Sequence, residues 1–422
     1  MGGGPGNEFG RPSGGRGKIE SGSMDAQRKI LICGGGIAGP TCGYWLHRYG
    51  YSVVIAERAK SLRDGGQNVD IKGAGQLVMR KMGLADAILA NNTLEQGQKY
   101  LDKTGKVVAA FPRGAIGGLT ADFEVLRGDF AKILFDLTRD ACEYRFGTYV
   151  TRLDEKDDCI AVAFNDGNVE NFELVICAEG LNSSTRGMVL AEETQLLYLG
   201  AYMSFFNVPR LPEDDNWAHT VNGIGGTFIT LRPGTATETT VLMTFLRDGS
   251  DVAADDPAAR KRLLLEALKG RGTVADRIIA ALGSVEDFYF GPMSQVHASA
   301  WSKGRFVMVG DAAYCPTPFT GEGTALGLVG AYVLAGEIKR NASHVAAFRA
   351  YETLVRPYAE ASRRRINVRL IRLMHVKTWF GIAIARAIQR LFASRLVQRL
   401  LRPSEAKKER RVGEDFDLPN YG

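Results

Sequence analysis

The chain has 422 residues, of which 45% are hydrophobic and 24% are charged. These values are ordinary for a globular protein of two or three domains, and they exclude a chain that is disordered throughout. The six cysteines form no CxxC pair and the five histidines are dispersed, which disfavours a disulfide framework and a metal centre. Neither a membrane-spanning run nor a secretory signal is visible, so we expect a cytoplasmic protein.

The net charge of +6 comes from one segment. Residues 361–411 contain 15 basic and two acidic residues, whereas the rest of the chain is slightly acidic. A nucleic-acid-binding protein would carry its positive charge across a binding face with stacking or base-reading motifs, so we expect no nucleic-acid partner.

The N-terminal part predicts a βαβ unit after an unstructured start. Residues 1–23 include nine glycines and almost no apolar side chains, which predicts a disordered extension. Residues 29–33 have the length and apolar character of a strand, a glycine turn and a helical pattern follow to Tyr49, and residues 51–56 predict a second strand.

The glycine turn has the spacing G-x-G-x-x-G over Gly34–Gly39. Gly34 permits the tight turn, Gly36 lets a pyrophosphate approach the main chain, and Gly39 lets helix and strand pack closely. Glu57 follows Gly36 by 21 residues and can accept hydrogen bonds from ribose hydroxyls. This arrangement predicts a dinucleotide site for either NAD or FAD.

The rest of the chain alternates between strand-rich and helical segments. Residues 142–178 predict strands with a turn at 165–167, and residues 199–247 are β-rich without βα alternation, which favours an antiparallel sheet. We expect helices over residues 128–141, 257–283, 323–338, 345–373 and 374–401.

A second glycine motif favours FAD. The segment 305–325 predicts a strand that ends at Gly310–Asp311, a loop with Pro318, and Gly321-Glu-Gly323 opening a helix. Asp311 can accept a hydrogen bond from a polyol, and a helix N-terminus can stabilise negative charge on a flavin ring. Two widely separated glycine turns suit a long, extended cofactor.

The sequence resembles the class A flavoprotein monooxygenases of the aromatic-hydroxylase type. Three motifs carry this resemblance: the first glycine turn with Glu57, the segment LVICAEGLNSSTR from Leu174, and Gly310–Asp311 with its following loop. Within that family it is most similar to the tetracycline destructases, through CGYWLHRYGYSVVIAER, GGQNVDIKGAG, EVLRGDF, LGAYMSFFNVP, DFYF, WSKGRFVMVGDAAYCPTPFTGEG and VGAYVLAGE.

The resemblance implies an α/β fold: a Rossmann-like FAD-binding domain of the para-hydroxybenzoate hydroxylase type, an inserted antiparallel-sheet substrate domain and a C-terminal helical segment. The expected divisions are an FAD-binding domain of residues 24–90, 121–198 and 299–345, a substrate domain of residues 91–120 and 199–298, helices in residues 346–401, and a tail at 402–422.

The resemblance also implies flavin contacts. Arg127 matches a residue on the flavin side, Arg63 and Gly66 match a loop near the isoalloxazine, and Val150 matches a contact to the adenine. With the glycine motifs, the expected FAD contacts are Gly34, Gly36, Ile37, Ala38, Gly39, Glu57, Arg58, Arg63, Gly66, Arg127, Val150, Glu179, Gly180, Asp311, Pro318, Gly321, Gly323, Thr324 and Ala325.

Three residues depart from the family pattern. Glu179 replaces the usual aspartate of the second motif, and Glu322 and Thr324 replace the usual glutamine and asparagine of the third. A carboxylate near the flavin would oppose negative charge on the reduced ring, so these departures bear on catalytic efficiency.

The implied reaction uses FAD as cofactor and NADPH or NADH as co-substrate. A flavin C4a-hydroperoxide made from O2 would hydroxylate a phenolic, enolic or polycyclic polyketide substrate, with tetracycline inactivation as one case. No side chain is assigned as a catalytic residue and no metal is expected. The alternatives are an FAD-dependent dehydrogenase or reductase without oxygen transfer, and a flavin-binding protein that sequesters a drug.

Substrate contacts are expected on the β-rich sheet. Tyr202, Phe206, Phe228 and Met243 are the candidates, although aromatic residues on a strand are also typical of a core. Arg232 or Arg247 can hold an anionic substrate or can lie on the surface.

The segment 374–401 predicts a basic amphipathic helix. The resemblance implies a lid over the substrate opening, and the alternatives are a packed helix with a solvated basic face and a helix that contacts a membrane surface. We expect a monomer or a weak dimer.

Overall fold

The computed structural model describes residues 1–2, 28–62, 66–115, 123–249, 256–286, 288–401 and 416–422. Arg63 and nearly all of the glycine-rich segment 1–23 lie outside these residues. The strands are, in chain order, β1 (Lys29–Cys33), β2 (Ser52–Glu57), β3 (Asn68–Asp70), β4 (Gly97–Leu101), β5 (Val107–Pro112), β6 (Glu124–Leu126), β7 (Glu143–Phe146), β8 (Val150–Glu155), β9 (Ile160–Phe164), β10 (Val169–Phe172), β11 (Leu174–Cys177), β12 (Thr194–Pro209), β13 (Ala218–Gly223), β14 (Thr227–Pro233), β15 (Glu238–Leu246), β16 (Tyr289–Ala298), β17 (Ser302–Lys303) and β18 (Phe306–Met308).

The helices are α1 (Ala38–Arg48), α2 (Gly73–Lys81), α3 (Ala85–Ala90), α4 (Arg127–Thr138), α5 (Ser184–Val189), α6 (Pro257–Leu268), α7 (Thr273–Leu282), α8 (Asp311–Tyr314), α9 (Gly323–Arg340), α10 (His344–Arg364), α11 (Val368–Met374), α12 (Trp379–Ala393) and α13 (Arg395–Leu401). A single 3-10 turn covers Pro318–Thr320 in the described residues.

The first sheet has the strand order β17-β18-β11-β1-β2-β7, and its strands from β18 to β7 are parallel. Residues 30–33 of β1 are fully buried, as expected for a strand covered on both faces. Helix α9 packs against α1, and residues 325–338 of α9 are all buried, so α9 lies in the hydrophobic core that surrounds the first sheet. The carboxyl ends of β1, β2, β11 and β18 therefore meet at one edge, where open α/β sheets bind their ligands.

The second sheet has the order β16-β12-β15-β14-β13-β4-β5, and all its pairs are antiparallel except β13 with β4. It confirms the antiparallel sheet expected from residues 199–247 and adds strands from residues 97–112 and 289–298. Helices α6 and α7 pack on one face through Leu264, Leu268 and Ile278. The opposite face carries Phe205, Phe228 and Thr244, which β12, β14 and β15 bring into line.

Three segments expected as single helices are divided in two. Residues 257–283 break at Gly272, which has a φ of +101° and lies against the main chain of Lys103. Residues 345–373 break before α11, where the Asn367 side chain accepts a hydrogen bond from the Leu370 amide. Residues 374–401 are divided into α12 and α13 at Ser394. The start of this segment is not helical, because the carbonyls of Val376 and Lys377 accept hydrogen bonds from the turn before β14.

The end of the C-terminal tail packs against the hydrophobic core that surrounds the first sheet. Phe416 and Tyr421 are buried, and the Tyr421 hydroxyl donates to Glu337 Oε1 at 2.7 Å. A Cβ at Gly336 would overlap the Tyr421 ring, so a glycine on α9 makes room for this residue. Composition did not indicate this contact, because it depends on a cavity formed by distant segments.

Candidate active site

The first glycine turn connects β1 to α1. Gly34 has a φ of +111°, its amide donates to the Ala56 carbonyl at 2.7 Å, and a Cβ there would lie 2.5 Å from the Ala178 oxygen. A Cβ on Gly36 would meet only the end of the Arg127 side chain, at 3.5 Å. Since residues 36–38 are also partly exposed, the N-terminus of α1 is open to a phosphate group.

Glu57 ends β2 beside this turn. Its Oε2 accepts a hydrogen bond from the Gly35 amide at 2.7 Å, and its Oε1 accepts one from the Ala59 amide at 2.8 Å. These bonds fix the carboxylate, and each oxygen keeps a lone pair that can accept from a ribose hydroxyl. Arg58 is exposed next to it, with its guanidinium 5.3 Å from the Tyr149 ring, and Val150 is buried at the start of β8.

A second group of residues meets near Asp311. Asp311 is solvent-accessible although protein surrounds it closely, which is the position of a residue that lines a deep cleft. Burial raises the pKa of Asp311, and the nearby Arg127 guanidinium opposes that rise. A Cβ on Gly323 would lie 3.5 Å from Asp311 Oδ1, and one on Gly66 would lie 3.6 Å from the Arg127 Cβ. Three distant segments of the chain, around residues 66, 127 and 311–323, are thus brought together.

Glu179 holds the loop of the second motif. Its Oε2 accepts from the Ser183 hydroxyl at 2.5 Å and from the Thr185 amide at 3.0 Å, at the start of α5. Gly180 follows with a φ of +82°. Arg186 then donates to the Ala312 carbonyl at 3.1 Å, which joins the second motif to the third. The carboxylate that departs from the family pattern is therefore satisfied within its own loop.

The third motif forms a constrained loop. Thr317 has a φ of +87°, unusual for a residue with a side chain, and Pro318–Thr320 make the 3-10 turn before Gly321. Thr324 and Ala325 lie in the first turn of α9. The first and third motifs lie close together, since a Cβ on Gly310 would lie 3.0 Å from the Ala38 Cβ.

Glu322 forms an ion pair with Arg365 at the end of α10. The Glu322 side chain is 9% exposed, so a cation beside it offsets much of the cost of burying its charge. No sequence pattern indicated this partner, because the two residues are 43 positions apart.

The substrate candidates divide between the two faces of the second sheet. Phe228 faces the third motif, and its ring centre lies 6.4 Å from that of Phe319. Tyr202, Phe206 and Met243 instead lie in the core between the sheet and helices α6 and α7. This placement favours the core alternative for these three residues. Helices α6 and α7 cover this face, whereas α11 packs against part of the opposite face.

His375 lies at the end of α11, close to Phe228 and Phe319, with ring centres at 6.3 and 5.9 Å. Its Nδ1 lies 2.8 Å from the Ile371 carbonyl, which can only accept, so Nδ1 carries the proton. Its Nε2 then accepts from the Thr244 hydroxyl at 2.7 Å. Burial lowers the pKa of His375, so the ring is neutral at pH 7. A lone histidine gave no sequence signal.

Arg232 has a structural role that neither sequence hypothesis anticipated. Its side chain is 14% exposed, and it pairs with the buried carboxylates of Glu95 and Glu124 at 2.8 Å each. Burial alone would lower the pKa of Arg232, but the two carboxylates outweigh it and hold the pKa above its usual value. Arg232 therefore joins β14 to β6 and is engaged by protein carboxylates.

The comparisons with known proteins agree with this geometry. The model of the FAD binding domain family matches residues 27–366. A flavin-dependent monooxygenase of Legionella longbeachae is 34% identical over 354 residues, covering 81% of this chain and 88% of that protein. An FAD-dependent monooxygenase of Sarocladium schorii, asL4, is 34% identical over 328 residues, covering 75% and 76%.

Solved structures show the same fold. The tetracycline destructase Tet(55) superposes with a TM-score of 0.79 at 30% identity, covering 94% of this chain and all of that one. The described residues include a glycine turn that is open at a helix N-terminus, a carboxylate fixed beside it, and Arg127 close to Asp311, and the first two are features of dinucleotide-binding folds. The chain therefore belongs to the FAD binding domain family and is an FAD-dependent monooxygenase.

Proposed function

We propose that this monooxygenase takes electrons from NADPH or NADH and hydroxylates a polycyclic substrate that carries several hydroxyl or enol groups, of the tetracycline type. The observation that carries this proposal is the mixed character of the sheet face opposite Phe319. It combines aromatic rings with buried polar groups. The polar residues on this face are Gln98, Thr220, Asn222, Thr230 and Thr244.

Two of these polar groups favour a hydroxyl-bearing ligand. Within the described part of the chain, the buried Gln98 Oε1 and Asn222 Oδ1 have no hydrogen-bond partner. An unsatisfied buried acceptor destabilises a protein by about 1–3 kcal/mol, so such atoms are favourable places for ligand hydroxyls. A purely apolar substrate would leave both acceptors unsatisfied.

The surrounding side chains suit an oxygen transfer that must exclude water. Bound FAD supplies the electron transfer and the oxygen activation. Phe228 and Phe319 cover the region between the sheet and the third motif with apolar surface, which keeps water from the reacting centre. The Thr244 hydroxyl donates a hydrogen bond to His375. The Thr244 oxygen therefore keeps lone pairs that can accept a hydrogen bond from a substrate hydroxyl.

The test is turnover of the FAD-loaded protein with each nicotinamide cofactor, with and without tetracycline. We expect tetracycline to stimulate NADPH or NADH oxidation and to give a product one oxygen atom heavier, with the added atom derived from isotopically heavy O2. A product oxidised without added oxygen, or no response to any polycyclic phenol or enol, would contradict the proposal.

A matched pair of variants tests the choice of sheet face. Phe228→Leu changes the side that faces Phe319, whereas Phe206→Leu changes the core under α6 and α7. We expect Phe228→Leu to raise the fraction of reducing equivalents lost as H2O2, and Phe206→Leu to lower stability without changing that fraction. Equal uncoupling in both variants would refute the assignment.

A further inference from the structure

The last two helices turn their apolar side outward. In α12, Trp379 is 72% exposed, Phe380 61% and Leu391 60%, and in α13 Leu400 is 75% exposed. Ile384, Ile388, Phe392 and Leu396 continue the same exposed stripe. Only Ile382 of α12 is buried among the described side chains, on the side that packs against β5. An ordinary surface helix buries its apolar stripe, so this orientation requires a ligand surface outside the described protein.

The charge around this stripe is of one sign. Residues 361–401 contain ten basic residues and not one acidic residue. Arg390 and Arg399 are exposed beside the apolar side chains, and Arg369, Arg372 and Lys377 are exposed on the segment that leads to α12. An apolar stripe flanked by cations complements a bilayer with anionic lipids, because the acyl boundary takes the apolar side chains and the headgroups take the arginines.

We propose that the exposed face of α12 and α13 binds the surface of an anionic membrane, with the helices lying in the headgroup region. Among the described residues, the helices lack the length and apolar character that crossing a bilayer requires. The docking surface is thus peripheral, and it does not depend on which substrate the enzyme oxidises.

The position of this surface connects it to the active site. His375, which contacts Phe228 and Phe319, is separated from Trp379 by three residues. The carbonyls of Val376 and Lys377 accept hydrogen bonds from the amides of Gly226 and Gly225 at the end of the substrate-facing sheet. Membrane docking therefore brings this end of the sheet next to the bilayer, from which a polycyclic compound that partitions into the headgroup region can enter.

The experiment is co-sedimentation of the full-length, FAD-loaded protein with vesicles of phosphatidylcholine alone or mixed with phosphatidylglycerol. Trp379 gives a second readout, since it is the exposed one of the four tryptophans. We expect binding only to the anionic vesicles, a blue shift of tryptophan emission on binding, and loss of that shift in Trp379→Phe. Salt should weaken the binding, as for any contact with an anionic surface.

Two sets of variants make the test specific. Replacing Lys377, Arg390 and Arg399 by glutamine should weaken partition on the order of 100-fold, since each cation near an anionic surface contributes about a factor of five. The matched control replaces three exposed arginines elsewhere, Arg139, Arg152 and Arg262, and should partition like the wild type.

Several results would overturn the proposal. These are wild-type protein that stays in the supernatant, equal binding to neutral and anionic vesicles, or equal weakening in both sets of variants. A dimer in sedimentation velocity that Phe380→Ser and Leu391→Ser abolish would also overturn it, because a second copy of the chain would then cover the stripe.

Discussion

Alanine substitutions at Gly34 and Gly36, in the first glycine turn, should have opposite effects on folding and on cofactor binding. Gly36→Ala adds a methyl group whose nearest neighbour is the flexible end of Arg127 at 3.5 Å, an ordinary contact. The apo protein should therefore keep its stability within about 0.5 kcal/mol. The same methyl group occupies the surface that a pyrophosphate needs, and an overpacking cost of about 1–3 kcal/mol corresponds to roughly 10- to 100-fold weaker FAD binding.

Gly34→Ala should damage the fold itself. Its φ of +111° strains any residue with a Cβ by about 1–2 kcal/mol, and the added carbon would lie 2.5 Å from the Ala178 oxygen. Relieving that overlap adds about 1–3 kcal/mol, so we expect a loss of roughly 2–5 kcal/mol.

The assay is urea unfolding of both apo variants together with FAD titration followed by quenching of flavin fluorescence. The expected pattern is a stable Gly36→Ala that binds FAD poorly and a destabilised Gly34→Ala. Wild-type FAD affinity in Gly36→Ala would refute the assignment of this turn to the cofactor. Equal destabilisation of both apo variants would refute the steric reasoning.

Three further predictions concern the ionisable groups around the cleft. Arg232→Met removes the cation shared by two buried carboxylates, so it should lose about 3–5 kcal/mol of unfolding free energy at neutral pH and less at acid pH. Arg262→Met at the surface should lose less than about 1 kcal/mol, and similar losses in the two variants would contradict the assignment of Arg232. In a double-mutant cycle, Glu322→Gln should restore part of the stability that Arg365→Gln loses. We expect a coupling free energy of about 1 kcal/mol, because Arg365 is half exposed, and additive losses would show that the ion pair does not contribute to stability. Burial lowers the pKa of His375, so the unfolded chain binds a proton at this residue before the folded protein does. The stabilising contribution of the neutral ring is therefore complete above about pH 6.5, and it is lost as the pH falls through the folded-state pKa. Urea unfolding at two pH values should therefore show a smaller acid-side loss in His375→Gln than in the wild type, and equal losses would indicate a normal pKa.

The local motifs were predictable because their physics is local. Gly34, Gly36 and Glu57 lie on one strand–turn–helix–strand unit, where spacing alone fixes their relative positions. The Asp311 region needed the resemblance to connect it to Arg127 and Gly66, since these residues come from different segments. Side-chain alternation along β12 places Phe205 on one face and Tyr202 and Phe206 on the other, but alternation does not tell which helices cover each face.

The amino-acid sequence by itself thus determined the βαβ unit, the glycine turns and the identity of the family, because each depends on residues at short fixed spacing. The tertiary structure alone decided that Phe228 lies next to Phe319, that Arg365 neutralises Glu322, and that His375 is a neutral partner of Thr244. It also turned the apolar side of α12 to the outside. These outcomes depend on which distant surfaces pack together, and amphipathic periodicity indicates only that a face exists, not what covers it.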